Sequence, residues 1–306
     1  MLEPGVVVAG RYRLERKIGE GGMGAVWAAK NLSVGTDVAL KTLKLDASAN
    51  SEIVMRFRRE AYLLACVHSD HVCRVLDFVS DERVGHVLVL DFIRGVSLHD
   101  RLAERPLSIE EALEIGTDVA RGMVDLHRAS IVHRDLKPGN ILLEARADGR
   151  HRALIVDFGL GRRMRPGGDE SGITSMDTAL GTLEYMAPEQ IVSSRSAGPL
   201  SDVYSLGAIL FRAVSGKHVF GALTAGALAR TKMTEDPPPL VTGRQDPLAL
   251  GFEAVVNRAL RKKPADRFAS TDDLLAELVG LHRRRDEIAR AAPSHRAPAS
   301  GQGAAV

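Results

Sequence analysis

The chain changes character once along its length, and that change restricts its fold more than any other feature. Up to residue 93 short strand-like runs dominate, whereas beyond Gly95 apolar residues recur mainly at helical spacing. Residues 12–18, 25–30 and 37–43 read as strands separated by turns, one of them at Gly35, and so predict an antiparallel meander. Residues 51–66 then carry Ile53, Phe57, Ala61 and Leu64 on one helical face, and strand-like runs resume at 72–79 and 86–93. Residues 109–127 form a long amphipathic segment, while 203–214 are apolar on most sides and belong inside. This order predicts an α+β chain of two lobes. A small antiparallel β-rich lobe with one main helix covers residues 1–94, and a larger, mainly helical lobe covers 95–281. Residues 282–306 carry the basic run Arg283-Arg284-Arg285 directly after His282 and turn rich in Ala, Pro and Gly, the composition of a tail or linker.

Composition excludes several functions. Lysine and arginine total 41 against 39 acidic residues, and aromatics are 4%, which is unlike a nucleic-acid surface of interleaved basic and aromatic residues. No nucleic-acid partner is expected. No apolar run reaches the roughly 18–20 residues that cross a bilayer, and no cationic signal with a cleavage site opens the chain, so no membrane segment is expected. The cysteines, Cys66 and Cys73, are too few for a disulfide framework and fit a reducing cytoplasm. They bracket His68 and His71, a set that could supply four zinc ligands. The simpler reading makes residues 72–76 a strand with Cys73 as a small hydrophobe.

Reactive groups concentrate at four places. Residues 133–140, His-Arg-Asp-Leu-Lys-Pro-Gly-Asn, put Asp135, Lys137 and Asn140 between the apolar Ile131-Val132 and Ile141-Leu142-Leu143. Pro138 and Gly139 make this a loop, the usual place for a scaffold to present chemistry, although a charged surface turn reads alike. Gly19-Glu20-Gly21-Gly22-Met23-Gly24-Ala25-Val26 is a glycine-rich turn between strands, where backbone amides can approach phosphate oxygens. A strand and not a helix follows it, so it is no dinucleotide-binding turn, and a hairpin without function stays open. Lys41 interrupts the apolar run Val38-Ala39-Leu40, and Glu60 falls on the inward edge of its helix. A buried lysine and a buried carboxylate each need an opposite charge, so they suit one another. Asp157, with Phe158 and Gly159, ends the apolar run 154–156, and with Asn140 it offers hard oxygen ligands for Mg²⁺.

Taken in order, these motifs resemble those of the eukaryotic-like, Hanks-type serine/threonine protein kinases of bacteria, over roughly residues 11–281, with the kinase domain from about 12. Gly181-Thr182, Ala187-Pro188-Glu189, Asp202 and Arg267 extend the match, while Ser69-Asp70 stands where the family commonly has His-Pro. The resemblance implies a bilobal kinase fold that uses ATP and Mg²⁺, with Mn²⁺ as an alternative, to phosphorylate serine and threonine in protein substrates. It implies that Lys41 holds the α and β phosphates, oriented by Glu60. Asp135 serves as base, Lys137 neutralises the transferred group, and Asn140 and Asp157 hold metal. Ile18, Val26, Ala39, Leu90 and Leu142 enclose the adenine, and the backbone of residues 91–93 reads its edge. Asp202 tethers the catalytic loop and Glu189 pairs with Arg267. Lys137 and Thr182 place the chain with serine/threonine kinases. Thr174, Ser175 and then Thr178 are the expected sites of activating phosphorylation, through self-association and a basic pocket that includes Arg134. The alternative, a nucleotide-gated pseudokinase module, would lack one of these catalytic groups, and all of them are present.

Overall fold

The structure, a computed structural model, describes residues 2–21, 24–42, 51–157, 181–193, 196–221 and 224–291; within these, the Glu60 side chain lies outside the description. Its first part is a sheet of β1 (Val7–Val8), β2 (Tyr12–Gly21), β3 (Gly24–Asn31), β4 (Asp37–Thr42), β5 (Val75–Asp81) and β6 (Gly85–Asp91). The spatial order is β1-β2-β3-β4-β6-β5, with every described pairing antiparallel. Helix α1 (Ser51–Ala65) connects β4 to β5. Alternation along the strands divides the sheet between two cores. Leu14, Trp27, Val38, Leu40, Val87 and Val89 pack on one side. Ala39, Leu88 and Leu90 join Ala61 and Leu64 of α1 and the core of the second part.

That second part starts with β7 (Gly95–Ser97) and α2 (Leu98–Glu104), followed by α3 (Ile109–Arg128), β8 (Ile141–Ala145) and β9 (His151–Ile155). The helices α4 (Pro188–Val192), α5 (Pro199–Ser215), α6 (Ala225–Thr234), α7 (Pro247–Ala259) and α8 (Thr271–Ala291) complete it. Helix α3 begins where a capping box satisfies its first amides. Ser108 Oγ accepts from Glu111 N at 3.1 Å and Glu111 Oε2 accepts from Ser108 N at 2.9 Å. Both α3 and α5 bury most of their length, as their apolar spacing requires. At Gly122 the helix passes so close to the neighbouring chain that a Cβ would lie 2.7 Å from His71 O, which only glycine avoids.

Three segments differ from the sequence-based expectation. The strand expected from residue 72 begins at Val75, because the preceding residues pair elsewhere. Ile155 N donates to His71 O and Cys73 N to Ile155 O, both at 2.9 Å, so Val72 forms a parallel bridge with Ile155 at the end of β9. Three residues after the lobe junction form the short strand β7, which is too brief to leave a periodic signal. Helix α8 continues to Ala291 through the stretch that reads as a linker. Its His282 ring lies 3.0 Å from Thr117 Oγ1 and its Arg285 lies 3.2 Å from Glu114, which fastens that stretch to α3. The zinc reading is not supported, since no three metal-ligating residues gather among the described residues. His71 Nδ1 instead lies 3.1 Å from Ala153 O, and burial pushes the Cys73 thiol up to about 12.

Candidate active site

The loop at 133–140 is fixed from beneath by one buried carboxylate. Asp202, in the first turn of α5, is fully buried and accepts from His133 N at 2.8 Å and Arg134 N at 2.9 Å, with His127 Nε2 at 2.8 Å. Burial alone would raise its pKa, but His127, His133 and the Arg134 amide outweigh that and hold it below the usual range. Arg134 adopts a left-handed backbone with φ of 66°, a conformation that costs a side-chain-bearing residue on the order of 1 kcal/mol. The surroundings enforce it from two sides. Asp202 takes its amide, and Gln190 Nε2 donates to its carbonyl at 3.1 Å.

Asp135 follows on this pinned backbone, and the other polar groups of the loop converge on it. Lys137 Nζ donates to Asp135 Oδ2 at 3.0 Å and to Thr182 Oγ1 at 3.2 Å. Asn140 Nδ2 donates to the Asp135 carbonyl at 2.8 Å and to its Oδ2 at 3.3 Å. The turn Pro138–Asn140 brings Asn140 back to Asp135 and feeds directly into β8. A final backbone bond, Val156 N to Asn140 O at 2.9 Å, places Asp157 beside the same loop.

Asp157 joins the two lobes. Its φ is 58°, again left-handed, and its carboxylate bonds the ammonium of Lys41 from β4. Burial acts to raise the Asp157 pKa, but Lys41, then His133 and Lys137, outweigh it and hold the group ionised below its ordinary range. The expected Lys41–Glu60 pair lies outside the described side chains. Val26 faces Lys41 across β3 and β4, and Ala39 faces Leu90 across β4 and β6, so all four lie on one sheet face. Ala39 and Leu90 are buried, Val26 and Leu142 half-buried, and Ile18 is exposed.

In the glycine-rich hairpin Gly21 faces Gly24, whose φ of 146° favours glycine, while Gly22 and Met23 lie outside the described residues. Glu20, expected near the phosphates, bonds Lys17 Nζ at 2.6 Å on the exposed side. Thr42 pins the returning strand, accepting from Ala25 N at 3.1 Å and donating to Ala25 O at 3.0 Å. Of the backbone expected to read an adenine edge, Asp91 N is already bonded to Arg74 O at 3.1 Å, and Asp91 O accepts the Cys73 thiol. Phe92 and Ile93 enter no backbone hydrogen bond among the described residues.

Below the loop, Arg267 is buried and clamps Glu189 through two bonds, Nη1–Oε1 at 2.7 Å and Nη2–Oε2 at 2.8 Å. Sequence reasoning missed Thr42, Gln190 and Lys232 of α6. Lys232 Nζ donates to Glu184 O at 2.8 Å and Met186 O at 2.7 Å. The expected phosphorylation sites Thr174, Ser175 and Thr178 lie outside the described residues.

A glycine-rich hairpin, a buried lysine and two carboxylates meeting at a lobe junction are the layout of a protein kinase domain. The protein kinase domain family matches residues 12–277, and the chain belongs to that family. Among curated proteins it is similar to the serine/threonine-protein kinase pkn3 of Myxococcus xanthus, with 35% identity over 92% of this chain and 52% of that protein. PknA of Mycobacterium tuberculosis (strain ATCC 25618 / H37Rv) is 36% identical over 87% of this chain and 60% of its own length. The chain thus spans between about half and three fifths of these relatives. Among solved structures it is similar to the Mycobacterium tuberculosis PknI kinase domain, with a TM-score of 0.65, 25% identity, and coverage of 92% of this chain and 99% of that one. No helix among the described residues is long and apolar enough to cross a membrane.

Proposed function

We propose that this domain transfers the γ-phosphoryl group of ATP to serine and threonine hydroxyls of protein substrates. One observation carries the reading: Asp135, Lys137 and Asn140 of the pinned loop form a single hydrogen-bonded cluster that takes in Thr182 from the segment after residue 180, with Asp157 and Lys41 alongside. Asp135 orients the acceptor hydroxyl and takes its proton. Lys137, held between Asp135 and Thr182, neutralises charge on the transferred group. Lys41 moves from Asp157 to the α and β phosphates, with Glu60 orienting it. Asn140 spends its amide nitrogen on Asp135, which leaves Oδ1, with the Asp157 carboxylate, as the hard oxygen donors that suit Mg²⁺ or Mn²⁺. Bound there, such an ion neutralises phosphate charge. Residues 18–26, Ala39, Leu90 and Leu142 enclose the nucleotide, and of residues 91–93 the backbone of Ile93 reads the adenine edge, with Asp91 as support. The paired Lys137 and Thr182 favour serine and threonine over tyrosine.

Residues 1–94 act as the ATP-binding lobe and 95–281 as the substrate lobe. Two copies meet to phosphorylate Thr174, Ser175 or Thr178, and the free thiols Cys66 and Cys73 suit a cytoplasmic setting. The deciding experiment replaces Asp135 by Asn. Transfer is expected to fall by about 10²–10⁴-fold while ATP binding persists, because only the proton acceptor is lost. Full turnover in that variant rules out the assignment, and product dominated by phosphotyrosine rules out the residue preference.

A further inference from the structure

One side chain of the segment after residue 180 reaches the backbone that carries Asp135. Gln190 is buried on α4 and bonds through both ends of its amide. Its Oε1 accepts from Ala187 N and its Nε2 donates to Arg134 O, each at 3.1 Å. Only this orientation of the amide satisfies both partners, since a backbone N–H can only donate and a carbonyl can only accept. The donor therefore faces the catalytic loop.

What that donor fixes is a single peptide plane. The Arg134 carbonyl and the Asp135 amide belong to one rigid unit. Gln190 bonds the oxygen of this unit, and its nitrogen, Asp135 N, donates to His133 Nδ1 at 3.3 Å. Arg134 enters the unit with its left-handed φ of 66°, and its own amide is taken by Asp202. Rotation about ψ of Arg134 would turn the plane and re-aim Asp135, whose Oδ2 meets Lys137 and Asn140. A misplacement of about 1 Å at a reacting group can cost on the order of 10²-fold in rate.

Attachment of α4 does not depend on this bond. Glu189 is clamped by Arg267 and accepts from Ser201 Oγ at 2.8 Å, while Tyr185 O accepts from Ser205 Oγ at 2.9 Å. The segment is thus tied to α5 and to Arg267 by other side chains. An apolar residue of similar length would fill the space that Gln190 occupies. Filling space does not call for an amide, and orienting a carbonyl does.

We propose that Gln190 is a positioning residue for the base: by fixing the Arg134–Asp135 peptide it aims the Asp135 carboxylate at the acceptor hydroxyl. The proposal rests on the kinase reading above. It makes the segment from Thr182 to Gln190 meet the catalytic loop on both sides of the base, at Lys137 through Thr182 and at Arg134 through Gln190.

The test compares the full chain as wild type, Gln190→Met and Gln190→Leu, both of which keep the bulk and remove the donor. Transfer is read in single turnover with radiolabelled MgATP and a serine peptide, binding of each by fluorescence anisotropy, and folding by urea unfolding. The transfer rate is expected to fall about tenfold, the scale of one lost hydrogen bond, while both affinities stay within about twofold of wild type. The same substitutions are then made in an Asp135→Asn background. A residue that acts through Asp135 has little left to lose there, so the residual rate should change by less than about twofold. General loosening of the lobe would lower the rate equally in both backgrounds, and that result overturns the proposal. A wild-type rate in a folded Gln190 variant also overturns it, and leucine decides if methionine does not fold. A wild type that binds MgATP and transfers nothing removes the kinase reading and this proposal with it, whereas a transferring wild type with an indifferent Gln190 removes the proposal alone.

Discussion

Lys41 on β4 and Lys232 on α6 are both buried, yet one reaches a carboxylate and the other reaches backbone. Lys41 crosses the lobe junction to Asp157, whose side chain is 42% exposed. Lys232 is 1% exposed and ends on the carbonyls of Glu184 and Met186, with the Tyr204 ring centroid 5.2 Å from its Nζ. Carbonyl dipoles do not balance a full charge. Burial therefore pushes the Lys232 amine down to about 7, and Glu184 offsets only part of the shift. The difference separates two uses of a buried cation. An ammonium facing a half-open carboxylate can exchange partners, as phosphate handling requires. One that bonds two carbonyls of a single short segment can only hold them, and Lys232 fastens the segment 184–186 to α6.

Replacing each lysine by methionine should sharpen that contrast, beginning with the larger effect. Lys41→Met is expected to reduce phosphoryl transfer by about 10²–10³-fold, the usual cost of removing one preorganised electrostatic contact. Its unfolding free energy should move by no more than about 1 kcal/mol, since water can take the place of the ammonium at the exposed side of Asp157. Initial rates and urea unfolding on the same preparation measure both. An unchanged rate would make Lys41 a structural cation like Lys232, and the contrast would disappear.

The two lysines were not equally legible in the sequence. Lys41 interrupts Val38-Ala39-Leu40, and a charge inside a β-periodic apolar run is anomalous on sight. Lys232 sits in Ala-Arg-Thr-Lys-Met, where lysine is ordinary for a helix, and its partners are carbonyls that any residue type supplies. The same reason hid Gln190 and Thr42, which act on the backbone of Arg134 and Ala25. Asp118 is a further case, since its Oδ2 accepts from Ala153 N at 3.1 Å and holds β9 against α3 without any local signal. Strands and helices were readable because burial on one face imposes a period. The choice between partners was not. Val72 looks equally suited to a strand of the first sheet, and only the bonds between His71, Cys73 and Ile155 draw it to the end of β9. Asp202 and the Glu189–Arg267 clamp were legible through the kinase resemblance and not through any period.

Lys232→Met should act in the opposite sense to Lys41→Met. Two buried carbonyls lose their donor, which is expected to cost about 1–3 kcal/mol of stability at neutral pH. Transfer by the folded protein should stay nearer to wild type than in Lys41→Met. The pH dependence gives a sharper signature. In the unfolded chain the amine keeps its ordinary value of 10.5, and in the folded chain it titrates near about 7. Between these values the unfolded state binds the extra proton, so the lysine makes wild-type stability rise with pH through this window and fall again as pH drops toward 7. Urea unfolding of the wild type and the variant from pH 6 to 10 should show this rise in the wild type and its loss in methionine. Parallel profiles would mean that Lys232 enters the folded state with its proton.

The smallest effect is expected where Lys232 meets Tyr204. The Tyr204 hydroxyl is buried without a hydrogen-bond partner among the described residues, and burial raises its pKa, with Arg267 opposing. Its ring lies between two cations, with Lys232 Nζ at 5.2 Å and the Arg267 guanidinium carbon at 5.0 Å from its centroid. If the face of the ring is what makes the lysine tolerable there, the oxygen contributes nothing and carries a desolvation cost. Tyr204→Phe keeps the ring and should therefore alter stability by less than about 1 kcal/mol, in the stabilising direction if the hydroxyl is unsatisfied in solution as well. Tyr204→Leu removes the π face as well and should be clearly less stable than Phe. A Phe variant that loses as much stability as Leu would assign the support of Lys232 to the hydroxyl, through a bonded water, and a face-on cation contact would no longer explain how α6 buries its lysine.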